Sequence, residues 1–235
     1  MRLREQRENR IRVTAQEVNK LATRRRILSI LAVAGTTLLV LTYMISAIYK
    51  ETGSFTINVN KYEMYEYGLS LSESADLSHP SSVLNAKINH SITNIAGENI
   101  PDDVDSKDGE HNGKNYIAYT FYLFNAGQSN DVSYKWQVKM DNITNGLDEA
   151  IRLRLYIDGV STTYAKESID GTVEADANEK FYSNTVLAQG RKDNFSSGSV
   201  TKFTIVVWIE GEDKQCNDNI DGGSMRLEMF IEIAH

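Results

Sequence analysis

The chain has 235 residues, a formal net charge of −7 and a single cysteine. One cysteine excludes a disulfide within the chain, so the fold must be held by packing alone. The negative charge repels phosphate, and we therefore expect no nucleic-acid partner.

Residues 1–26 form a basic tail. Nine Arg and Lys residues against three Glu give this segment a net charge of +6, which leaves −13 for the remainder of the chain. Basic flanks stay on the cytoplasmic side of a membrane, so we predict a cytoplasmic tail. Ile11, Ala15, Val18 and Ala22 fall on one helical stripe. This stripe either lies along the inner leaflet or belongs to a solvated topology determinant.

An apolar segment follows at residues 27–49 and contains no charged residue. As a helix it would be roughly 34 Å long, enough to cross a hydrocarbon core of about 30 Å. A core helix of a soluble domain would show a polar face, and this segment has none. We predict a single transmembrane signal anchor in the cell membrane, with the N-terminus cytoplasmic and the C-terminal domain extracellular.

Removal of this segment is the alternative to an anchor. Ile45-Ser46-Ala47 meets the requirement of a signal-peptide site for a small residue, so cleavage after Ala47 stays open. However, the basic region is longer than in a signal peptide, and the apolar run exceeds the roughly 7 to 15 residues of a signal core. We therefore expect the anchor to be kept.

Residues 50–235 are expected to form one extracytoplasmic domain. Several of its segments alternate between apolar and polar residues, which predicts strands with one buried and one solvated face. The alternating segments are VSYKWQVKM (132–140), IRLRLYI (151–157) and MRLEMFIEI (225–233), and the solvated face of IRLRLYI is predicted to carry Arg152 and Arg154. FTINV (55–59) is predicted as the strand that starts the domain.

Two further segments, YIAYTFYLF (116–124) and FTIVVWI (203–209), are apolar on both faces and predict central strands of a covered sheet. Asp158-Gly159 predicts a type I′ hairpin turn into VSTTYAK (160–166). Only GLDEAI (146–151) indicates a helical turn. The prediction is a mainly β fold, an antiparallel β-sandwich or jelly roll.

This layout resembles the TasA/camelysin group of exported β-sandwich surface proteins of Gram-positive bacteria. The resemblance is carried by the apolar export segment, the strand S-F-T-I-N-V and the strand YTFYLFNAG. The stretch FTIVVWIEGEDKQCNDNIDGGSMRLEM is also similar to uncharacterised Firmicutes surface proteins with a W-x-E-G-x-D-x-x-C loop. The resemblance covers most of residues 27–235 and implies a biofilm-matrix or surface protein.

The resemblance also implies a mode of assembly, because some members of the group form fibres by donating an N-terminal strand to the next subunit. In this chain, Phe55, Ile57 and Val59 would then mediate self-association or contact with another surface protein. The long arginine-rich tail departs from the group, and an anchored copy would insert this strand into its own sheet.

Catalytic motifs are not found in the sequence. His79, His90, His111 and His235 are scattered, and no H-E-x-x-H pair places two imidazoles around zinc. The chain also lacks G-x-S-x-G, a P-loop and G-x-G-x-x-G. We expect no enzyme activity and assign no catalytic or cofactor-binding residue.

Two acidic loops raise a calcium hypothesis, because calcium prefers carboxylate and carbonyl oxygens. The first loop follows FTIVVWI (203–209), and the second is PDDVDSKDGE, which begins at Pro101. At both loops a solvated acidic turn is the alternative. The near-match of NDNIDGGSMRLE (217–228) to EF-hand spacing ends in a predicted strand, so we interpret it as accidental. The candidate ligands of the first loop are Glu210, Glu212, Asp213, Asp218 and Asp221.

A glycan-binding interpretation rests on YEMYEYG, where Tyr62, Tyr65 and Tyr67 would stack on sugar rings or pack a sheet edge. Cys216 is either inert or joins two copies of the chain. The expected function is a structural, matrix or adhesive role at the cell surface, as a fibre subunit or fibre base. An extracytoplasmic ligand- or glycan-binding module is the first alternative, and a secreted enzyme is the second.

Overall fold

The computed structural model describes residues 20, 22–44, 54–87, 92–127 and 131–234. The chain divides into two compact units, Met1–Lys50 and Glu51–His235. The predicted stripe at Ile11, Ala15 and Val18 and the candidate cleavage site at Ala47 lie outside the described residues.

The first unit contains helix α1, Ala22–Met44, whose side chains are all exposed. Among the described residues it is the one helix long and apolar enough to cross a membrane, a test that a signal sequence also passes. Its hydroxyl groups donate to carbonyls of the preceding turn; for example, Ser29 Oγ lies 2.9 Å from the Arg25 carbonyl oxygen. The helix therefore presents no unsatisfied hydroxyl donor at these positions to an apolar environment.

The second unit is built from short strands and one short helix. Helix α2 is Lys61–Tyr67. The strands are β1 Ser54–Val59, β2 Leu69–Ser72, β3 Val83–Lys87, β4 Gly109–Glu110, β5 Tyr116–Asn125, β6 Val132–Asp141, β7 Ile151–Ile157, β8 Val160–Ala165, β9 Glu179–Lys180, β10 Val186–Phe195, β11 Val200–Ile209 and β12 Arg226–Ile233.

The strands form two sheets. The first sheet has the order β10-β6-β12-β1-β3, and the second has the order β2-β5-β11-β7-β8-β9 with β4 paired to β5. The prediction of a mainly β fold is confirmed. The predicted antiparallel pairing is found for most neighbouring strands, but β1 pairs with β12 and β8 pairs with β9 in parallel, so both sheets are mixed. Parallel neighbours need a long connection, and the rest of the domain supplies one between its first and last strands.

Both sheets contribute to one hydrophobic cluster. Phe55 of β1 meets Tyr119 of β5 edge to face, with ring centroids 6.1 Å apart. Trp136 of β6 meets Phe203 of β11 in the same manner at 6.2 Å. Such aromatic pairs bury large apolar areas and favour edge-to-face geometry, so these contacts hold the two sheets together.

The predicted alternation in β6 is confirmed, because its apolar set from Val132 to Met140 is buried while Lys135 is exposed. The predicted covering of β5 and β11 is confirmed as well, since both strands are buried on nearly every residue. A second, smaller cluster lies on their outer side, where Ile100 and Val104 cover residues of the two strands. It consists of Ile100, Val104, Ala118, Val206 and Trp208.

Helix α2 was not predicted. Asn60 caps its start by accepting a hydrogen bond from the Tyr62 backbone N–H at 3.0 Å. Gly68 ends it in the left-handed region at φ 76°, and its N–H donates to the Met64 carbonyl. The asparagine and glycine caps were the available signals. Tyr67 packs against the core and Tyr62 is 67% exposed, so the described tyrosines of this segment do not form one stacking surface.

Gly190 of β10 makes room for an indole ring. It pairs with Trp136 of β6, and a Cβ at this position would lie 2.5 Å from Trp136 Cζ2. We expect Gly190→Ala to lower the free energy of unfolding by about 1–3 kcal/mol through overpacking, as measured by urea titration. Trp136→Phe should relieve the clash, so the double variant should lose less stability than the two single variants summed. Additive losses would contradict this explanation.

Candidate functional site

The outer face of the second sheet carries a cavity of about 890 Å³. Its floor is formed by outward-facing residues of β7 and β11. Its walls are the turn at residues 96–98, the loop at residues 166–178 and the loop at residues 210–215. We call residues 166–178 the β8–β9 loop, because they connect those two strands. A cavity of this volume falls within the range of small-molecule sites, about 300–1,000 Å³.

Arg152 ties two of these walls to the sheet. Its side chain is 1% exposed, and its Nε and Nη2 donate to the two carboxylate oxygens of Asp176 at 2.8 and 3.1 Å. Nη2 also donates to Asp213, whose side chain is 2% exposed, at 2.7 Å. Burial alone would lower the pKa of Arg152, but the hydrogen bonds to Asp176 and Asp213 outweigh burial and raise the pKa. The guanidinium therefore stays charged within a fully paired cluster.

The prediction that Arg152 faces solvent is wrong. The predicted alternation of β7 is confirmed on its inner face, because Ile151, Leu153 and Leu155 point into the core. The opposite face of the strand is not solvated at Arg152, since the β8–β9 loop and the loop at 210–215 cover it. A period-two pattern shows which residues share a face, but not whether a distant loop covers that face.

Trp208 of the floor contacts Glu210 of the adjoining wall. Trp208 is fully buried, and its Nε1–H donates to Glu210 Oε2 at 2.9 Å. The same oxygen accepts from the Gly97 backbone N–H at 3.0 Å, while Oε1 accepts from the Glu212 backbone N–H at 3.2 Å. The Arg154 guanidinium lies 5.0 Å from the centroid of the Trp208 ring, a cation–π contact.

These contacts bear on the five calcium candidates. Both oxygens of Glu210 accept hydrogen bonds from the protein, and Asp213 is paired with Arg152. Glu212, Asp218 and Asp221 are exposed. In the part of the chain that the structure describes, no group of three or more His, Cys, Asp or Glu side chains is placed to hold a metal ion. The calcium hypothesis stays a prediction, and the structure gives Glu210 and Asp213 a different role.

The second acidic loop contributes a carboxylate to a contact between segments. Asp108 accepts from the Ala75 backbone N–H at 3.0 Å and from the Tyr122 hydroxyl at 2.6 Å. Burial, and then this carboxylate, raise the pKa of Tyr122 to about 12, so the phenol remains a donor at neutral pH. Asp108 thus fastens this loop to β5. Glu228, the last position of the EF-hand-like string, lies in β12 and pairs with Arg226 at 2.6 Å.

Cys216 is half-buried, and the Asn94 side-chain amide donates to its sulfur at 3.5 Å. The two ring nitrogens of His111 lie within hydrogen-bonding distance of backbone carbonyl oxygens, that of Gly109 at 2.9 Å and that of Val104 at 2.7 Å. Both side chains have structural contacts within their own chain. The joining of two copies through Cys216 stays a prediction.

Glu174 lies in the β8–β9 loop and lines the cavity. Burial raises its pKa, Asp213 and Asp176 raise it further, and Arg152 acts in the opposite direction. Seven carboxylates and three basic side chains line the cavity in all. Glu174 therefore sits among an excess of negative charge, which favours a positively charged occupant.

Glu174→Gln should stabilise the protein at neutral pH. The pKa of this carboxyl is higher in the folded protein than in the unfolded chain. Ionisation at neutral pH therefore disfavours the folded state, and this penalty is lost once the pH falls below the pKa of the unfolded chain. We expect the free energy of unfolding of the variant at pH 7 to exceed that of the parent by less than about 1 kcal/mol, because the site is partly solvated. The variant should therefore melt at a slightly higher temperature. The two melting temperatures should converge in mildly acidic buffer. A gain that is independent of pH would contradict this interpretation.

Sequence reasoning identified Glu210, Glu212 and Asp213 as a group but missed Glu174 and Asp176. Asp176 lies 24 residues beyond Arg152 in a loop that has no periodic pattern. The available signal was the pair of arginines on one face of a predicted strand, since a cation that becomes buried requires a carboxylate partner.

No family model matches the chain, and no curated protein matches it. Among solved structures, a beta-glucosidase from Kluyveromyces marxianus in complex with glucose aligns with a TM-score of 0.26 and 11% identity, over 71% of this chain and 16% of that chain. A Se-Met-labelled beta-glucosidase from the same organism gives a TM-score of 0.25 and 13% identity, over 68% and 17%. This chain thus spans about a sixth of the length of those proteins, and likeness at this level carries no functional conclusion.

Proposed function

We propose that the protein is a membrane-anchored cell-surface protein with a structural, matrix or adhesive role. Its N-terminus lies in the cytoplasm and its β domain lies outside. The observation that carries the proposal is helix α1, which is exposed throughout, carries Arg24, Arg25 and Arg26 near its start and is apolar from Ile27 to Met44. A helix with no polar face is favourable in lipid and costly in water, and the arginines orient it.

A structural role is supported by the connection between the anchor and the domain. Helix α1 ends at Met44 and β1 begins at Ser54, so the chain passes from the anchor into an interior strand of the first sheet. The shared core of the two sheets supports a β-sandwich of the jelly-roll kind. Membership in the TasA/camelysin group, with a biofilm matrix as the setting, belongs to this proposal.

Strand exchange between copies is the more specific form of the proposal. Phe55, Ile57 and Val59 are buried in their own chain, at 1%, 0% and 2% exposure. A donated strand from a second copy would have to replace β1 at the same position, between β12 and β3. Exchange is therefore expected only after β1 has left its own sheet.

The test is protease treatment of intact cells that express the chain with a C-terminal tag, followed by mass spectrometry of the N-terminus. The proposal predicts loss of the tag, resistance of the protein to carbonate extraction, and an N-terminus that retains α1. Replacing Arg24, Arg25 and Arg26 by Glu should invert or scramble the topology, whereas Arg4→Glu with Arg7→Glu is the matched control. A protected tag on a soluble protein would refute the proposal.

Binding of a positively charged ligand is a second candidate function, and the cavity favours it. The cavity combines an acidic lining with apolar side chains such as Ile169 and Val173, which suits a cation on an aliphatic stem. A trilysine peptide should raise the melting temperature of the protein, and the same peptide with acetylated side chains should not. Glu174→Gln should weaken the effect of trilysine. Equal shifts with both peptides would exclude charge recognition.

A further inference from the structure

The first and last strands of the domain are neighbours in the first sheet and run in the same direction. Their register joins five residue pairs, from Phe55 with Leu227 to Val59 with Ile231. The chain enters this pair at Ser54 of β1 and leaves it at Ile233 of β12. Because the strands are parallel, the entry and exit points lie at opposite ends of the pair.

This arrangement determines how tension would act on the pair. A pull between Ser54 and Ile233 draws β1 and β12 past each other along the strand direction, so all of the hydrogen bonds between them share the load. The antiparallel pair of β1 with β3 behaves differently. Ser54 lies opposite Lys87 there, so a pull between those two residues opens the ladder one pair at a time.

The side chains of β1 and β12 add to the resistance. Ile57 and Met229 face each other in the register and are both fully buried in the shared core. Sliding one strand past the other would withdraw such side chains from their contacts, at a cost set by the buried apolar area. Both strands are also held on their other edges, β1 by β3 and β12 by β6.

We propose that the domain bears tensile load, with the β1–β12 pair as its mechanical clamp. Force that enters from the membrane anchor and force applied at the C-terminal end of β12 meet in this pair. The proposal rests on the proposed function, because an anchored α1 is what delivers load to β1. It identifies a function for the parallel pairing: an antiparallel arrangement of the terminal strands would unzip under the same pull.

The test is single-molecule force spectroscopy on the full chain in detergent micelles, with handles attached through cysteines. Cys216→Ser removes the native thiol, and Ser54→Cys is common to both molecules. One molecule carries Ala234→Cys, which keeps the backbone N–H that donates to Ser133, and the other carries Lys87→Cys. At equal loading rate, the unfolding force of the 54/234 molecule should be about three times that of the 54/87 molecule or more, because the hydrogen bonds between β1 and β12 are loaded together.

Equal forces, or a lower force for the 54/234 molecule, would overturn the clamp. Melting temperatures of both molecules, compared with the Cys216→Ser parent, verify that the handles leave the fold intact. If Lys87→Cys destabilises the domain, Asn85→Cys on the same strand replaces it with the same expected order of forces. Since the handles bypass the membrane, this result is independent of the protease experiment: a cytoplasmic protein could still have a strong clamp, and an anchored protein could have a weak one.

Discussion

Replacing Arg152 by alanine should destabilise the protein by about 3–5 kcal/mol, because removing one partner leaves buried charge unpaired. The carboxylates that would lose their partner are those of Asp213, whose side chain is 2% exposed, and Asp176, which accepts two hydrogen bonds from the guanidinium. The measurement is urea unfolding of the full chain in detergent micelles, followed by tryptophan fluorescence. Proteolysis should also become faster in the β8–β9 loop, because Arg152 holds this loop to the sheet.

Arg191→Ala is the matched control. Arg191 pairs with Asp193 at 2.7 Å, but their side chains are 50% and 58% exposed. Solvent and salt screen such a pair, so the control should cost less than about 1 kcal/mol. If both variants lose the same small amount, Arg152 does not hold the walls of the cavity together.

Phe55→Ala should be about as damaging, with an expected loss of about 3–5 kcal/mol. The Phe55 ring is 1% exposed and meets Tyr119 of the second sheet, so its removal leaves a void between the two sheets. The neighbouring change Thr56→Ala is the matched control. Thr56 lies on the opposite face of the same strand and donates only to the Asn85 side chain at 3.2 Å. It should cost less than about 1 kcal/mol.

This pair of variants also tests whether β1 is part of the folded domain in solution. In a folded chain whose β1 had been released for exchange, neither substitution would alter the packing of the core, so neither would lower the free energy of unfolding. A small, equal effect of Phe55→Ala and Thr56→Ala would therefore indicate that the strand is not inserted in its own sheet. The expected large difference would show that exchange must first break a stable core.

Strands that are buried on one face could be predicted from the sequence. The alternation in β6 and β12 places every second side chain in the core, and the structure buries Trp136 and Met229 accordingly. The turn at Asp158-Gly159 was also predicted, and both residues have positive φ, 51° and 84°. These features depend on neighbours in the sequence, so local patterns are sufficient to reveal them.

Edge strands were harder to predict. Strand β10 ends the first sheet and contains Gly190 followed by the charged residues Arg191 and Lys192, with shifts in its register. Charges and bulges at a sheet edge protect it from pairing with other chains, and they also erase the alternation by which a strand is recognised. Strands β2 and β3, which also lie at sheet edges, are too short to show a clear pattern.

An apolar helix behind a basic tail and a mainly β domain can both be predicted from the sequence, because charge, hydropathy and period-two alternation are local properties. The parallel pairing of β1 with β12 and the contacts of Arg152 with Asp176 and Asp213 beneath a cavity are visible only in the folded domain. Those contacts join segments far apart in the chain, and their partners are selected by the packing of the whole domain. No pattern within one segment records that selection.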